Sequence, residues 1–298
     1  MKPPLSGFFI EERKDNMAYK NFIPEIWAET INRDLERVCV FASDCNREYE
    51  GSVSKMGDSV RILGVGAPTI TTYSNKDDFK GLSSAETVED TSVTMVINQL
   101  ATFNYKVDDI DKRQAVGGLM EALSAETSEK LSNEQDKYIS SLAGDKLAKR
   151  MWNASKEVTA DNILDCLLEA HQMLMENDVS TQTRVVVTLN PRLATLYKKA
   201  MSMRDTDNSD LLKNGLIDRF DGMDIKVSNN VCRVKEGSVT SDLIQVKTQR
   251  AIAFARPMIH TEPYRPENGF SDAVKGFILY DAKIVRPKEM FVMNVKIV

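Results

Sequence analysis

From Val93 to Val107 the odd-numbered positions read Val93, Met95, Ile97, Gln99, Ala101, Phe103, Tyr105 and Val107, whereas the even-numbered ones include Thr94, Asn98, Thr102, Asn104 and Lys106. This period of two predicts a half-buried strand. At roughly 3.3 Å per residue the strand would run for about 50 Å, well past the usual five or six residues. Upstream, Val60, Ile62, Ile70 and Thr72 carry a weaker alternation through the glycines of ILGVGAPTI. Between them lies YSNKDDFKGLSSAETVED, residues 73–90, mostly polar and charged. The pattern predicts two long antiparallel arms joined by a polar tip, an excursion too long to fold back on its own core. Long loops of this kind are functional or disordered. An arm that leaves its own domain needs a neighbour to land on.

Helical spacing takes over on either side. After Pro24, the positions Ile26, Trp27, Thr30, Ile31, Asp34, Val38 and Phe41 predict a short amphipathic helix, with the proline close to its first turn. Beyond the arms, Val116, Met120, Leu123, Thr127, Leu131, Tyr138 and Leu142 form one stripe of a long helix. The stripe repeats nearer every eleven residues than every seven, which favours a nearly straight rod over a left-handed coiled coil. Gly117 and Gly118 weaken its start by up to about 1 kcal/mol each. A second helix follows Thr159, read as its N-cap, with Ile163, Leu164, Leu167, Leu168, His171, Leu174 and Met175 on one face.

The chain then changes character. Val185, Val186, Val187 and Leu189 form an apolar strand that runs into Asn190-Pro191, a helix cap followed by proline at the first helical position. That is a strand–helix unit. Asn214-Gly215 and Asp221-Gly222 mark turns, and Ile225 and Val227 a strand. LIQVKTQ predicts another strand, followed by a short alanine-rich apolar piece; the C-terminal stretch holds two more strands with Pro287 between them. No internal repeat and no low-complexity tract is present.

Composition narrows the function. At 298 residues the chain is long enough for two domains or one elongated one, and 42% hydrophobic with 28% charged residues is ordinary for a soluble globular protein. A net charge of -5 argues against a protein that grips nucleic acid by neutralising phosphates. Cys39, Cys45, Cys166 and Cys232 include no CxxC pair, so reduced buried thiols are expected rather than a zinc site or disulfide framework. No apolar run approaches the length of a membrane span, and MKPPLSGFFIEERKDN lacks the cleavage site of a signal peptide. Met17-Ala18-Tyr19 would serve equally well as a start, so residues 1–16 read as a short extension.

Catalytic chemistry finds little footing. Of the two histidines, His171 lies on the apolar face of a helix and reads as packing, whereas His260 sits in a proline-bounded stretch read as a loop, with no Ser or Cys nucleophile nearby in sequence. Gly64 and Gly66 have no third glycine to complete a dinucleotide fingerprint, and read as a turn or joint in the arm. Asp108, Asp109 and Asp111 lack the glycine and terminal glutamate of a calcium loop, and read as the acidic first turn of the long helix. Lys198 with Lys199, and Lys146 with Lys149 and Arg150, read as solvated faces. No catalytic residue, cofactor or metal is assigned. The candidate site is the arm's tip: Lys76, Asp77, Asp78, Phe79, Lys80, Glu86 and Glu89, with Asp90 at its end, mixed in charge as a self-complementary contact would be.

Taken in order, PEIWAETINRDLER with NREYEG and GDSVRI, then INQLATFNYKVDDIDKRQ, VVVTLNPRLATL, GLIDRFDGMDIKVSNNV and GFILYDAKIVRPKEM resemble the major capsid protein of tailed bacteriophages, the Hong Kong 97-type fold. The resemblance covers almost the whole chain from about residue 19. It implies an α+β fold: residues 1–50 an N-terminal arm and short helix, 51–108 an extended two-stranded loop lying across the adjacent subunit, 109–180 a peripheral domain with a long spine helix, 181–270 a central α/β axial domain, and 271–298 strands returning to the peripheral domain. It implies a non-enzymatic shell subunit, assembled in the bacterial host cytoplasm into the virion capsid through pentamers and hexamers, followed by a conformational expansion. The implied partners are further copies of the chain, a separate scaffolding protein, a portal, decoration proteins and weakly contacted double-stranded DNA; no membrane is involved. Some members crosslink through a loop lysine, and Lys76 and Lys80 have the position for it, but no acceptor asparagine or supporting carboxylate is identified and no crosslink is predicted. Two other readings stand beside this one: an encapsulin-like cellular nanocompartment shell, and a cytosolic α/β enzyme built on strand–helix units at 184–203 and 243–255.

Overall fold

A computed structural model describes residues 39–49, 57–65, 72, 90–108, 119–180, 182–202, 219–236, 239–266 and 271–297. The helix expected between Pro24 and Val38, the Asn214-Gly215 turn and most of the tip lie outside these residues.

The arm is present, with a different continuation. Strands β1 (Ser59–Val65) and β2 (Asp90–Val96) pair antiparallel from Ser59 with Val96 to Val65 with Asp90. Gly64 stands in this ladder opposite Thr91, not in a turn. The expected single strand through Val107 is instead two, broken at Ile97-Asn98, where β3 (Gln99–Asp108) begins. The reason is local. Ile97 still exchanges bonds with the start of β1, its N–H donating to the Asp58 carbonyl at 3.1 Å and its carbonyl accepting from Gly57 N–H at 3.0 Å. The Asn98 N–H is then taken by the Asp281 carboxylate at 3.1 Å, and the chain turns into a second sheet. There β3 pairs antiparallel with β12 (Ser271–Ile284), which also pairs with β11 (Ile252–Tyr264). The alternation survives the break: Met95 and Ile97 are fully buried, while Leu100 is 47% exposed. Asp108 closes β3 instead of opening a helix; Asp109 and Asp111 lie outside the described residues.

Helix α1 (Leu119–Ser141) spans 23 described residues, about 35 Å at 1.5 Å per residue. The expected stripe of Leu123, Thr127, Leu131 and Tyr138 is half-buried to buried. A second face, which the apolar pattern does not reveal, is buried and polar: Ser128, Ser132, Gln135, Asp136 and Ser140.

The large sheet is laid out from β4 (Lys149–Arg150) through β13 (Met290–Ile297), β10 (Val239–Thr248), β6 (Val185–Leu189) and β8 (Met223–Val227) to β7 (Arg219–Phe220). Two shorter strands join from outside this path, β5 (Lys156–Val158) beside β13 and β9 (Cys232–Glu236) beside β10. Helix α2 (Ile163–Glu176) begins after Asn162; between Thr159 and Asn162 the chain makes a turn in which the Asn162 amide oxygen accepts from Thr159 N–H at 2.8 Å and the Thr159 carbonyl accepts from Ile163 N–H at 3.2 Å. Its buried face takes in Cys166 and Ala170, and leaves Leu168 and Met175 about two-fifths exposed. Strand β6 feeds α3 (Pro191–Ser202) as the sequence indicates: the Asn190 side-chain oxygen accepts from Leu193 N–H at 2.7 Å, the capping bond that satisfies an otherwise open donor. β6 and β8 are parallel, so this part is a strand–helix–strand unit. The second such unit, expected at 243–255, does not exist. The alanine-rich piece after β10 is the start of β11, since Ala251, Ile252, Ala253, Phe254 and Ala255 are buried on both faces, and such a run cannot be told from a helix by its period. Pro287 opens a single turn between β12 and β13 as expected.

One core fills the space between α1, α2, α3 and the large sheet. A separate, smaller cluster consists of Val60, Ile62, Met95 and Ile97 from the arm, set on Ala253, Ala255 and Leu279.

Candidate subunit-contact surface

The arm's base is fastened at one carboxylate. Asp281, 7% exposed near the end of β12, accepts from Asn98 N–H at 3.1 Å through one oxygen. Its other oxygen accepts from the Tyr138 hydroxyl at 2.9 Å and from Ala282 N–H at 2.7 Å. The arm's turning point, the sheet and the long helix therefore meet at a single side chain. Burial and the Asp281 carboxylate both push the Tyr138 hydroxyl well above its usual range, so it stays a proton donor. Below the arm, Phe103 lies directly opposite Gly276 in the β3–β12 ladder, and a Cβ on Gly276 would fall 2.4 Å from the Phe103 ring and 2.5 Å from the His260 carbonyl oxygen.

A second fastening holds residues 39–46 as a strap between α1 and the large sheet. The Asp136 carboxylate accepts from the backbone N–H groups of Val40 at 2.8 Å, Phe41 at 3.0 Å and Ala42 at 3.2 Å. These amides open the short turn Ala42–Asp44, so the strap does not continue a helix through Phe41. Burial raises the Asp136 carboxyl above its ordinary range, against the opposing effect of the three amides. Lys247, 1% exposed on β10, donates to the Asp44 carbonyl at 2.7 Å and lies 3.2 Å from Cys45 Sγ. The Asp44 carboxylate, equally buried, sits 2.6 Å from Lys226 Nζ and 3.6 Å from Arg184. Neither of its oxygens is aligned for a hydrogen bond, so these are contacts of charge. Asn46 completes the strap by bridging to β11, accepting from Phe254 N–H and donating to the Ile252 carbonyl, each at 2.8 Å.

Beside α1 runs a groove of about 430 Å³, lined by Leu100, Phe103, Leu131 and Tyr280 together with Thr102, Thr127, Lys130 and Glu134. Both charged residues are paired along their own helix, with Glu126 and Lys137 respectively.

The remaining candidates separate. His171 is buried on α2, its Nδ1 2.8 Å from Asp221, which occupies the left-handed region (φ 49°) in the Asp221-Gly222 turn between β7 and β8. His260 belongs to β11, not a loop; the two prolines that suggested otherwise, Pro257 and Pro263, both fall within this strand. Its ring lies exposed, 5.5 Å from Phe277. The cysteines are unpaired thiols; burial pushes Cys39 up to about 11 and raises the other three, so none has thiolate character at neutral pH. Lys198 and Lys199 are exposed on α3, and Lys149 and Arg150 lie exposed in β4. Among the described residues no three acidic, histidine or cysteine side chains gather as a metal site, and no helix is long and apolar enough to cross a membrane. The tip residues Lys76, Asp77, Asp78, Phe79, Lys80, Glu86 and Glu89 lie outside the described residues. Asp281, Asp136 and Lys247 are the contacts that reading the sequence missed; Asp281 in FILYDAKIV and Lys247 in LIQVKT stand out as charges inside apolar runs, though nothing local names their partners, whereas Asp136 sits among polar residues in SNEQDKY and gives no signal.

No protein-family model and no curated protein matches the sequence. Solved structures do. A protein of Mycobacterium phage Che8 is 29% identical, with 85% of this chain covering 90% of that one at a TM-score of 0.68. The capsid structure of the cyanophage P-SCSP1u aligns over 87% of this chain and 88% of its own at a TM-score of 0.67, with 13% identity. A virus-like particle from Pyrococcus furiosus aligns over 90% and 98% at 0.56, with 14% identity. The chain thus has the mixed α/β fold of shell-forming proteins. Specifically, it is the capsid fold of tailed phages.

Proposed function

We propose that this chain is the major capsid protein of a tailed double-stranded DNA phage or prophage, assembling through pentamers and hexamers into an icosahedral shell around the genome. The observation that carries the reading is the match to the Che8 protein, which spans nearly all of both chains. The β1–β2 ribbon supports it. Among the described residues the ribbon is seated on the body by four buried apolar side chains, and closed rings of identical contacts are how such an element finds its partner surface.

The five-part division belongs to the proposal: N-terminal arm 1–50, extended loop 51–108, peripheral domain 109–180, axial domain 181–270, and C-terminal strands 271–298, which the fold shares between its two main sheets. The tip residues Lys76 to Glu89 are the proposed contact with the next subunit. A separate scaffolding protein, a portal and decoration proteins are the proposed partners, with assembly in the bacterial host cytoplasm and residence in the virion capsid. The net charge of -5 suits a wall that must not hold DNA tightly while the shell fills.

The likeness to the Pyrococcus furiosus particle keeps a second reading in view, an encapsulin-like nanocompartment. Electron microscopy of the chain expressed alone and with its candidate scaffold tests the shell; closed particles are expected, and a monodisperse monomer or dimer under both conditions overturns it. Mass spectrometry of purified particles then separates genome from enzyme cargo. Shortening residues 74–89 to a tight turn is expected to leave a folded subunit that makes no shells; normal shells from that deletion would remove the tip from the contact.

A further inference from the structure

Helices α2 and α3 pack side by side, and each turns one face outward. On α2 that face runs Asp165, Leu168, Gln172 and Met175, the i, i+3, i+7, i+10 spacing of one side of a helix, with Glu176 beside it. Every one of these is exposed, Leu168 at 39% and Met175 at 42%. Two large apolar side chains left open two turns apart on one face form a strip, not a scatter, and a strip rimmed by polar groups marks a contact. On α3 the outward face runs Arg192, Thr195, Lys199 and Ser202 at the same spacing, with Lys198 beside it, all exposed. Each face is about 15 Å long at 1.5 Å per residue, and the two are opposite in sign. Among the described residues Asp165, Arg192, Lys198 and Lys199 have no ion pair, and Glu176 accepts from the neutral Gln172 amide at 2.8 Å. Exposed together in one chain, the two faces do not satisfy each other there.

We propose that the α2 face of one copy of this chain seats on the α3 face of a second copy. The Lys198 and Lys199 stems lie over Leu168 and Met175, and the basic groups of α3 meet Asp165 and Glu176. Long basic side chains cover apolar surface in this way while keeping their charge free for a partner. Complementary charge decides which face meets which, and excludes acidic on acidic. A foreign basic partner would suit α2 equally but would leave α3 with nothing to meet, whereas a second copy satisfies both. A contact between two different patches of one chain repeats from copy to copy, and closes where the rotation allows. The inference rests on the shell reading's premise that copies associate, and adds the surfaces by which two of them do so.

Two charge-reversed full-length chains test it, one carrying Asp165→Lys with Glu176→Lys and the other Arg192→Glu with Lys199→Glu. Each alone is expected to self-associate about tenfold more weakly or worse in sedimentation, because every contact then sets like charge on like. Combined in equal amounts they are expected to recover the parent's association, since each supplies the face that the other lacks. Recovery between two chains cannot come from an effect inside one. Urea unfolding of each chain checks that the fold is retained. If either fails to fold, the single changes Glu176→Lys and Arg192→Glu replace them, each placing its new charge at the helix end whose dipole favours it. Association of both reversed chains at the parent's strength, or a loss that combining them does not recover, overturns the proposal and leaves the shell reading standing. A parent chain that does not associate, with or without its candidate scaffold, overturns both.

Discussion

Replacing Asp281 isolates the fastening of the arm. The carboxylate accepts from Asn98 N–H, the Tyr138 hydroxyl and Ala282 N–H, in a site only 7% exposed. Hydrogen bonds to a charged acceptor contribute about 1.5–3 kcal/mol each, and donors left open in a buried site add their own desolvation cost. Tyr138→Phe removes one bond and its donor together, so a loss of about 1.5–3 kcal/mol is expected. Asp281→Ala strands two donors from distant parts of the chain. Bonds that share one acceptor are not additive, which puts its cost at about 3–5 kcal/mol. Urea unfolding of the unassembled chain measures both, as a shift in midpoint at unchanged slope. The double variant should cost less than the two singles together, because the Tyr138 contribution disappears once its acceptor is gone. Hydrogen exchange supplies the local reading: the Asn98 amide should lose protection in Asp281→Ala and keep it in Tyr138→Phe. Equal protection of Asn98 in both variants, or a cost for Asp281→Ala under about 1 kcal/mol, would refute the reasoning.

Three other changes test the surrounding architecture. Gly276→Val drives a side chain into Phe103 and the His260 carbonyl, and thermal unfolding should show a loss of about 1–3 kcal/mol that Phe103→Leu partly restores. Lys247→Ala removes the buried ammonium from the Asp44 carbonyl and Cys45, with an expected cost of about 3–5 kcal/mol by urea unfolding; Lys247→Met, which preserves volume, should cost clearly less. Glu169 is held below its ordinary value of 4.5 by hydrogen bonds from Lys156 and Trp152. Its folded value being depressed, its contribution is present above pH 4.5 and lost as pH falls through the lower folded value. At 42% exposure, solvent screening keeps it under about 1 kcal/mol, so Glu169→Gln should differ from the parent by that much at pH 7 and progressively less as pH falls through the lowered folded value.

Much of the fold was legible because its elements bury one face. The odd positions of 93–105, the stripe of α1 and the Asn190-Pro191 cap each announced an element through a local rule. What escaped was decided at a distance. The break at Asn98 depends on Asp281, 183 positions away, and nothing local to INQL requires it. The start of β11 misled because a strand buried on both faces has lost its period. The polar face of α1 was unreadable because Ser128, Ser132, Gln135, Asp136 and Ser140 look like a solvated side until the strap is laid against them. His260 reads as a loop residue because prolines bound its stretch, whereas Pro257 falls at the irregularity in the β11–β12 register, where a missing donor costs no ladder bond. For the candidate contact, the arm and its ladder were readable in the sequence, and the carboxylate that fastens it was not.

The small apolar cluster under the arm has a mechanical consequence. Among the described residues the buried apolar seat of the arm is Val60, Ile62, Met95 and Ile97 on Ala253, Ala255 and Leu279, none of which belongs to the main core, and Lys283 adds a hydrogen bond to the Thr94 carbonyl at 2.6 Å. Tension applied to the arm is thus not carried by the large sheet. It reaches the body through Asn98 and Asp281, and from there the long helix at Tyr138, and through the Lys283 bond to Thr94. Lifting the arm would therefore break one small apolar seat and one lysine bond while leaving the contacts of the main core intact, with the Asp281 carboxylate as its point of attachment.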